Sequence, residues 1–344
     1  MTAAHTSTAL RIERVAPAPS RVPFAAVANR LATALQRTIE RATVAGAVRA
    51  LESGDGEQLA RYLARGRAMH ERFSMPTASQ MSAAMEGLSI RPSVRPGASW
   101  LSHDDFDDDA ILVYVHGGSF IADRSPRLTA MIARVAKAAR LKTLMVDYRL
   151  APEHPCPAAV DDVCAALNDV IAKGRPGHRI GIVAESAGAA IALAACARMR
   201  DAGVTLGALC LLSPWTDLAL TGRSAAARSV TGDSPISMES MAICAHFYLQ
   251  GMSPLDPVAS PVYGDLRALP AMLIHTSRTD ALHDDARLLA ERVHDAGSDV
   301  ILRLWSRGSH VFERMFDTQS ERAIADAGDF LRRRLNGARG LRAD

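Results

Sequence analysis

Long apolar runs are absent from this 344-residue chain. None approaches the roughly 18 residues that a membrane-crossing helix needs. A dominant charge is absent too: 40 Lys and Arg nearly cancel 37 Asp and Glu, leaving a net charge of +3 with the basic residues scattered. No nucleic-acid partner is expected from such a surface. Cysteine is sparse and odd in number. Cys156, Cys164, Cys196, Cys210 and Cys244 show neither paired nor metal-type spacing. They read as small buried hydrophobes in a reducing compartment. Met1 to Pro19 lacks the apolar core of a secretory signal, so a cytoplasmic location is expected. No internal repeat, low-complexity tract or phosphate-cradling glycine loop with its lysine is visible. No histidine, cysteine or carboxylate cluster has metal-ligand spacing, and catalysis without cofactor or metal is expected.

Apolar residues make up 48% of the chain and charged residues 22%, which describes a globular protein with one large core or two smaller ones. Residues 1 to about 20 read as loosely attached. A helical pattern runs from Phe24 to Leu51, with Val27, Leu31, Leu35, Ile39 and Val44 near one face. Gly54 to Gly56 break it. A second helix is expected from Glu57 to about Arg72 and a third after Pro76. Met69, Met75, Met81 and Met85 in this region suit an adaptable apolar surface, although ordinary packing between helices is the simpler reading.

Beyond Ser93 the pattern alternates. Strands are expected at 111–115, 143–147, 180–185, 208–212, 272–276 and 300–305. Helices are expected at 126–140, 158–172, 187–202 and 284–296, with a last one ending near Leu335. Apolar strands alternating with amphipathic helices predict an α/β fold with a mostly parallel sheet covered on both faces. Ligands in such sheets sit beyond the carboxyl ends of the strands. The acidic stretch Asp104–Asp109 falls at the opposite end and reads as a solvated turn.

At one carboxyl end stands Ala184-Glu185-Ser186-Ala187-Gly188, where a β-branched run meets an alanine-rich helix with no loop between them. That is the layout of a nucleophile elbow, G-x-S-x-G, with its first glycine replaced by Ala184. Alone, the pattern also fits a serine N-cap. At a second carboxyl end lies His116-Gly117-Gly118-Ser119-Phe120. Glycine pairs often make plain turns, but here the amides of Gly117 and Gly118, with that of Ala187, are placed to meet an oxyanion. Asp280 follows one later strand and His310 the next. Serine, acid and histidine in this order follow α/β-hydrolase logic, in which the imidazole takes the serine proton and the carboxylate orients the imidazole. Asp284 and Asp285 are rival acids, but their place at a helix start favours a dipole role. His116 is expected to order the glycine loop. His154, His246 and His275 read as structural or surface residues.

The ordered set of segments resembles the bacterial hormone-sensitive-lipase-like (family IV) esterases of the α/β-hydrolase superfamily. It comprises His116 to Phe120, Asp147-Tyr148-Arg149-Leu150-Ala151-Pro152-Glu153-His154-Pro155, and Pro157 to Asp162. The elbow, Ser213 to Leu218, Asp280 with Asp284-Asp285, and His310-Val311-Phe312 follow. The likeness covers about residues 95–335. It implies an eight-stranded, mostly parallel sheet with helices on both faces. It also implies a helical cap made of residues 1–95 and an excursion near 215–255, with residues 96–344 as the catalytic domain. Carried over by position, Ser186 is the nucleophile, His310 the base and acid, and Asp280 the orienting carboxylate. Gly117, Gly118 and Ala187 are the oxyanion donors. The implied reaction is hydrolysis of small to medium acyl esters or lactones through an acyl-serine. An amidase or peptidase on the same core, or a non-catalytic receptor of the plant gibberellin-receptor kind, are the alternatives; the presence of His310 argues against the receptor. The departures are Ser119 in place of a third glycine, Ala184 and Glu185 in the elbow, and Thr276-Ser277-Arg278-Thr279 where a glycine often opens the acid loop. The edge of the final strand is a candidate homodimer surface.

Overall fold

The computed structural model of the chain describes residues 10–16, 45–47, 49–50, 53–73, 75–231 and 236–336. The helix expected over 24–51 lies largely outside the described residues. The first described elements are strand β1 (Arg11–Val15), helices α1 (Gly56–Phe73) and α2 (Ala78–Met85), and strands β2 (Ser89–Pro92) and β3 (Ala98–Ser102). The alternating series follows with β4 (Asp107–Val115), α3 (Pro126–Ala139), β5 (Leu141–Val146), α4 (Ala158–Ala172) and β6 (Ile180–Glu185). It continues with α5 (Gly188–Asp201) and β7 (Ala208–Leu212). Helices α6 (Arg223–Thr231) and α7 (Met238–Leu249) separate β7 from β8 (Ala271–Ser277). After β8 come α8 (His283–Asp295), β9 (Val300–Trp305) and α9 (Thr318–Asn336).

The strands form one sheet in the order β1-β9-β8-β7-β6-β4-β5-β3-β2. All neighbours from β1 to β5 are parallel, and β3 and β2 close the far edge antiparallel. The central strands read as unbroken apolar runs because both faces are covered. Along β4, Ile111, Val113 and Val115 point to a core shared with α4, α5 and α8. Leu112 and Tyr114 point to the opposite core, with Met131, Ile132 and Val135 of α3 and Ile324, Leu331 and Leu335 of α9. Each such fully buried Leu, Ile or Val contributes about 1.5–3 kcal/mol relative to exposure, which is what holds the layers together.

Three expectations are corrected. The sheet has nine strands among the described residues rather than eight. The additional β1 lies in a segment that reads as loose, because Arg-Ile-Glu-Arg-Val has little apolar pattern and pairs with only one neighbour. That neighbour is β9, which β1 follows in parallel register from Arg11 opposite Ile301 to Val15 opposite Trp305. The final strand in sequence therefore has no open edge; β1 of the same chain covers it. Lastly, the acidic stretch is a turn only at its start, since β4 begins at Asp107 and shifts register between Asp107 and Ile111. No helix among the described residues is long and apolar enough to cross a membrane.

Candidate active site

The carboxyl ends of β4, β6, β8 and β9 converge. Between β6 and α5, Ser186 has φ +52°, so the chain reverses within one residue and the side chain stands clear of the backbone. The elbow is held from both sides. The Ser186 N–H donates to the Leu212 carbonyl at 3.0 Å, and the Ser186 carbonyl accepts from Trp215 N–H at 3.0 Å. The tight place is Gly188 rather than Ala184. A Cβ on Gly188 would stand 2.3 Å from the Val115 carbonyl oxygen and 2.4 Å from that of His116. Ala184 is fully buried in the core with its methyl accommodated, and it pairs with Val115 and Leu211. Its replacement of glycine thus leaves the turn intact.

His310 Nε2 lies 2.9 Å from Ser186 Oγ, and His310 Nδ1 lies 3.1 Å from Asp280 Oδ1. All three residues are buried, Asp280 completely. Burial pushes the Asp280 carboxyl up, but the charge and hydrogen bond of His310 outweigh it and hold the group below the ordinary carboxylate value. The Leu282 N–H also donates to Oδ1 at 3.0 Å. Asp284 and Asp285 are occupied elsewhere. Asp285 accepts from Thr216 N–H and Oγ1 and from Asp217 N–H, and burial raises its carboxyl to about 7. Asp284 accepts from Ser224 N–H at 2.9 Å.

The residues that lace the two loops together escaped the sequence reading. Ser277 Oγ donates to the Gly308 carbonyl at 2.6 Å, and Thr279 Oγ1 donates to the same carbonyl at 2.8 Å. These are the hydroxyls of the stretch that departs from the family pattern. Ser213 Oγ accepts from Val311 N–H at 3.0 Å, which fixes the residue after His310 in its left-handed conformation, φ +49°. Serine and threonine are too common in loops for sequence alone to single these out.

The glycine loop is set by His116 and Glu185. His116 is buried, and burial lowers its imidazole to about 4, so it is neutral and donates through Nδ1 to the Gly117 carbonyl at 2.6 Å. Its ring stacks on Tyr148, whose hydroxyl donates to the His116 carbonyl at 2.7 Å. Gly118, Ser119 and Phe120 follow with φ of +113°, +54° and +67°. One expectation fails here. The Gly117 N–H is not free for an oxyanion, because it donates to the buried carboxylate of Glu185. A Cβ on Gly117 would stand 2.3 Å from that carboxylate, so glycine is required for the contact instead. The amides of Gly118, Ser119 and Ala187 have no acceptor among the described residues. Beyond the loop, Phe120 stacks on Tyr248 of α7 at 3.9 Å between centroids and packs against Trp215 at 5.2 Å.

His275 is not the bland strand residue that the sequence suggests. It is buried with its ring nitrogens 3.2 Å from Glu313 and 3.0 Å from Asp326. His154 and His246 are exposed, as expected of surface residues. All five cysteines are free thiols, buried or half-buried.

Comparison with known proteins agrees with this architecture. Residues 112–314 match a family described as alpha/beta hydrolase fold. An acetyl-hydrolase of Streptomyces hygroscopicus is 37% identical over 228 residues, which cover 65% of this chain and 76% of that protein. A crystal structure of an esterase from the bacterial hormone-sensitive lipase family superposes with a TM-score of 0.72 at 33% identity, covering 78% of this chain and 90% of that one. The esterase EstE5, from a crystal soaked in p-nitrophenyl butyrate, superposes with a TM-score of 0.73 at 28% identity, covering 80% and 92%. With its sheet, elbow and loop order matching these proteins, the chain belongs to the α/β-hydrolase family and, within it, to the bacterial hormone-sensitive-lipase-like esterases.

Proposed function

We propose that this carboxylic ester hydrolase works through an acyl-enzyme on Ser186. His310 Nε2 takes the Ser186 proton as Oγ attacks the ester carbonyl, and Asp280 holds the ring through Nδ1 and stabilises the imidazolium that forms. The tetrahedral oxyanion is met by the amides of Gly118 and Ala187, with Ser119 in the place first assigned to Gly117. His310 then returns the proton to the departing alkoxide. Water, activated by the same histidine, repeats the sequence to release the acid. The observation that carries this reading is the unbroken line from Ser186 Oγ through both nitrogens of His310 to Asp280, beside three unsatisfied amides. Losing one such donor costs about 2.7–4 kcal/mol of transition-state stabilisation, so the choice between Gly117 and Ser119 matters.

The substrates are esters or lactones of small to medium acyl groups, as the acetyl-hydrolase relative and the butyrate-soaked EstE5 suggest. The buried aromatic wall of Phe120, Trp215 and Tyr248 is tied to the elbow through the Trp215 N–H on the Ser186 carbonyl, and we propose that it limits the acyl group to short chains. Within residues 1–95 the cap is assigned to helices α1 and α2, since β1 and β2 of that segment join the sheet; the 215–255 excursion completes it and supplies Tyr248 to that wall. A fluorophosphonate probe should label the native protein covalently and fail to label Ser186→Ala; a folded native protein that takes no label would refute the mechanism. Across p-nitrophenyl esters of rising chain length, kcat/KM should peak at acetyl to butyrate and decline beyond. A peak at long acyl chains would remove the aromatic wall as the limit.

A further inference from the structure

The glycine loop is buttressed from outside the catalytic core. Arg67, on α1 and more than forty residues before the loop, spreads its guanidinium over two segments at once. Nε donates to the Ile121 carbonyl at 2.5 Å, and Nη2 donates to the Ala151 carbonyl at 3.0 Å. The two terminal nitrogens grip both oxygens of Glu153, each at 2.7 Å. Both carbonyls belong to the oxyanion loop or its immediate support. The Gly118 carbonyl accepts from Ile121 N–H at 3.1 Å and from Ala122 N–H at 3.0 Å, so Ile121 closes the turn that aims Gly118 and Ser119. Ala151 N–H donates to the Phe120 carbonyl at 3.0 Å, which ties the supporting segment to the same turn.

An ion pair this exposed contributes little by itself, because water and salt screen it. What sets Arg67 apart is the rigid fork, which satisfies two loop carbonyls and a carboxylate in one plane. Three successive residues of positive φ, two of them not glycine, need such outside support, since a side chain in that region is strained.

We propose that Arg67 is a positioning residue for the oxyanion loop, so that the seating of α1 on the Ile121 and Ala151 carbonyls sets the alignment of the Gly118 and Ser119 amides. Helix α1, which lies in sequence between β1 and β2, then completes the catalytic geometry. This inference rests on the mechanism proposed above and on Ser186 as nucleophile.

The test compares Arg67→Met, Arg67→Lys and Glu153→Gln with the native protein. It measures p-nitrophenyl acetate kinetics, the affinity of ethylboronic acid as a tetrahedral mimic, and the melting temperature. Arg67→Met should lower kcat by about 10- to 100-fold with KM changed little, because a donor misplaced by a fraction of an ångström is missed only in the transition state. Boronate affinity should fall in parallel. Arg67→Lys, which cannot span both carbonyls, should remain impaired and serves if Arg67→Met does not fold. Glu153→Gln keeps both carbonyl contacts and should cost about 3-fold or less. Unchanged kcat and boronate affinity in the Arg67 variants would overturn the proposal, as would activity lost only in step with melting temperature while boronate affinity stays intact. A native protein that neither labels nor hydrolyses esters would instead refute the mechanism itself. A native protein that does both, with indifferent Arg67 variants, would remove this inference alone.

Discussion

Ser186 occupies a backbone region that costs a non-glycine residue about 1–3 kcal/mol, and its neighbours show how that cost is carried. The elbow is clamped by hydrogen bonds to Leu212 and Trp215, and Gly188 lets α5 run against the carbonyls of Val115 and His116. Glu185, one residue earlier, is buried where its carboxyl is pushed up by desolvation, yet it accepts from Gly117 N–H and from the Tyr114 hydroxyl at 3.3 Å. One residue thus joins the elbow to the oxyanion loop. Asp280 carries a separable prediction. Asp280→Asn keeps the shape of the acid but loses its charge and its control of the His310 tautomer. Turnover should fall by about 10⁴-fold, by analogy with the same change in a serine protease triad. Steady-state kinetics on p-nitrophenyl acetate checks it, and near-native turnover would remove Asp280 from the role.

At the scale of elements, the loops that carry Asp280 and His310 stand on a buried polar cluster. His275 of β8 faces Glu313, in the short helical turn after His310, and Asp326 of α9. Asp326 also holds Arg303 of β9, which pairs in turn with Glu13 of β1. Arg134 of α3 donates to the Glu313 carbonyl at 3.1 Å, and Cys210 of β7 and Arg314 lie in the same field. Both ring nitrogens of His275 face carboxylates, so both must donate and the ring carries a positive charge. Burial works against that charge, but the two carboxylates prevail and raise the imidazole to about 9. A histidine in the unfolded chain titrates near 6.5, so the folded state binds this proton more tightly. The resulting stabilisation is full below about 6.5, is lost as pH climbs toward 9, and is absent above it. Thermal melts of the native protein should therefore decline across that window. His275→Gln should melt lower at neutral pH and show a shallower decline. A variant that keeps the native slope would show that another group is responsible.

On the scale of the whole molecule, the strand nearest the N-terminus seals one edge of the sheet. Residues 11–15 pair with β9 from Ile301 to Trp305, and Arg322 of α9 reaches the Ala16 carbonyl at 3.4 Å. An unpaired strand edge is a template for association with another chain. Removing residues 1–16 should expose β9, lower the melting temperature and produce concentration-dependent association that sedimentation velocity detects relative to the full chain. Identical sedimentation and melting would mean that β1 does not protect the edge. The same logic corrects the idea of pairing through the final strand, since that edge is already occupied.

The sequence by itself determined the alternation of central strands and helices, because burial on both sheet faces imposes unbroken apolar runs that stand out from the amphipathic helices between them. Strands 180–185, 208–212 and 300–305 and helix 158–172 have the bounds expected of them. It also determined Ser186, Asp280 and His310 as candidates, since reactive residue types at strand ends in hydrolase order form a rare pattern. The edge strands were illegible: β1 and β2 are short, have no fully buried residue and pair with one neighbour each, so no local signal marks them. Only the tertiary structure decided which amides remain free. Gly117 and Ser119 stand two positions apart in sequence, and a carboxylate 68 positions away from Gly117 takes the first N–H while leaving the second. The guanidinium of Arg67 and the carboxylates around His275 belong to the same class. Hydrogen-bond partners and dielectric surroundings are set by which distant elements meet, and no spacing along the chain encodes that.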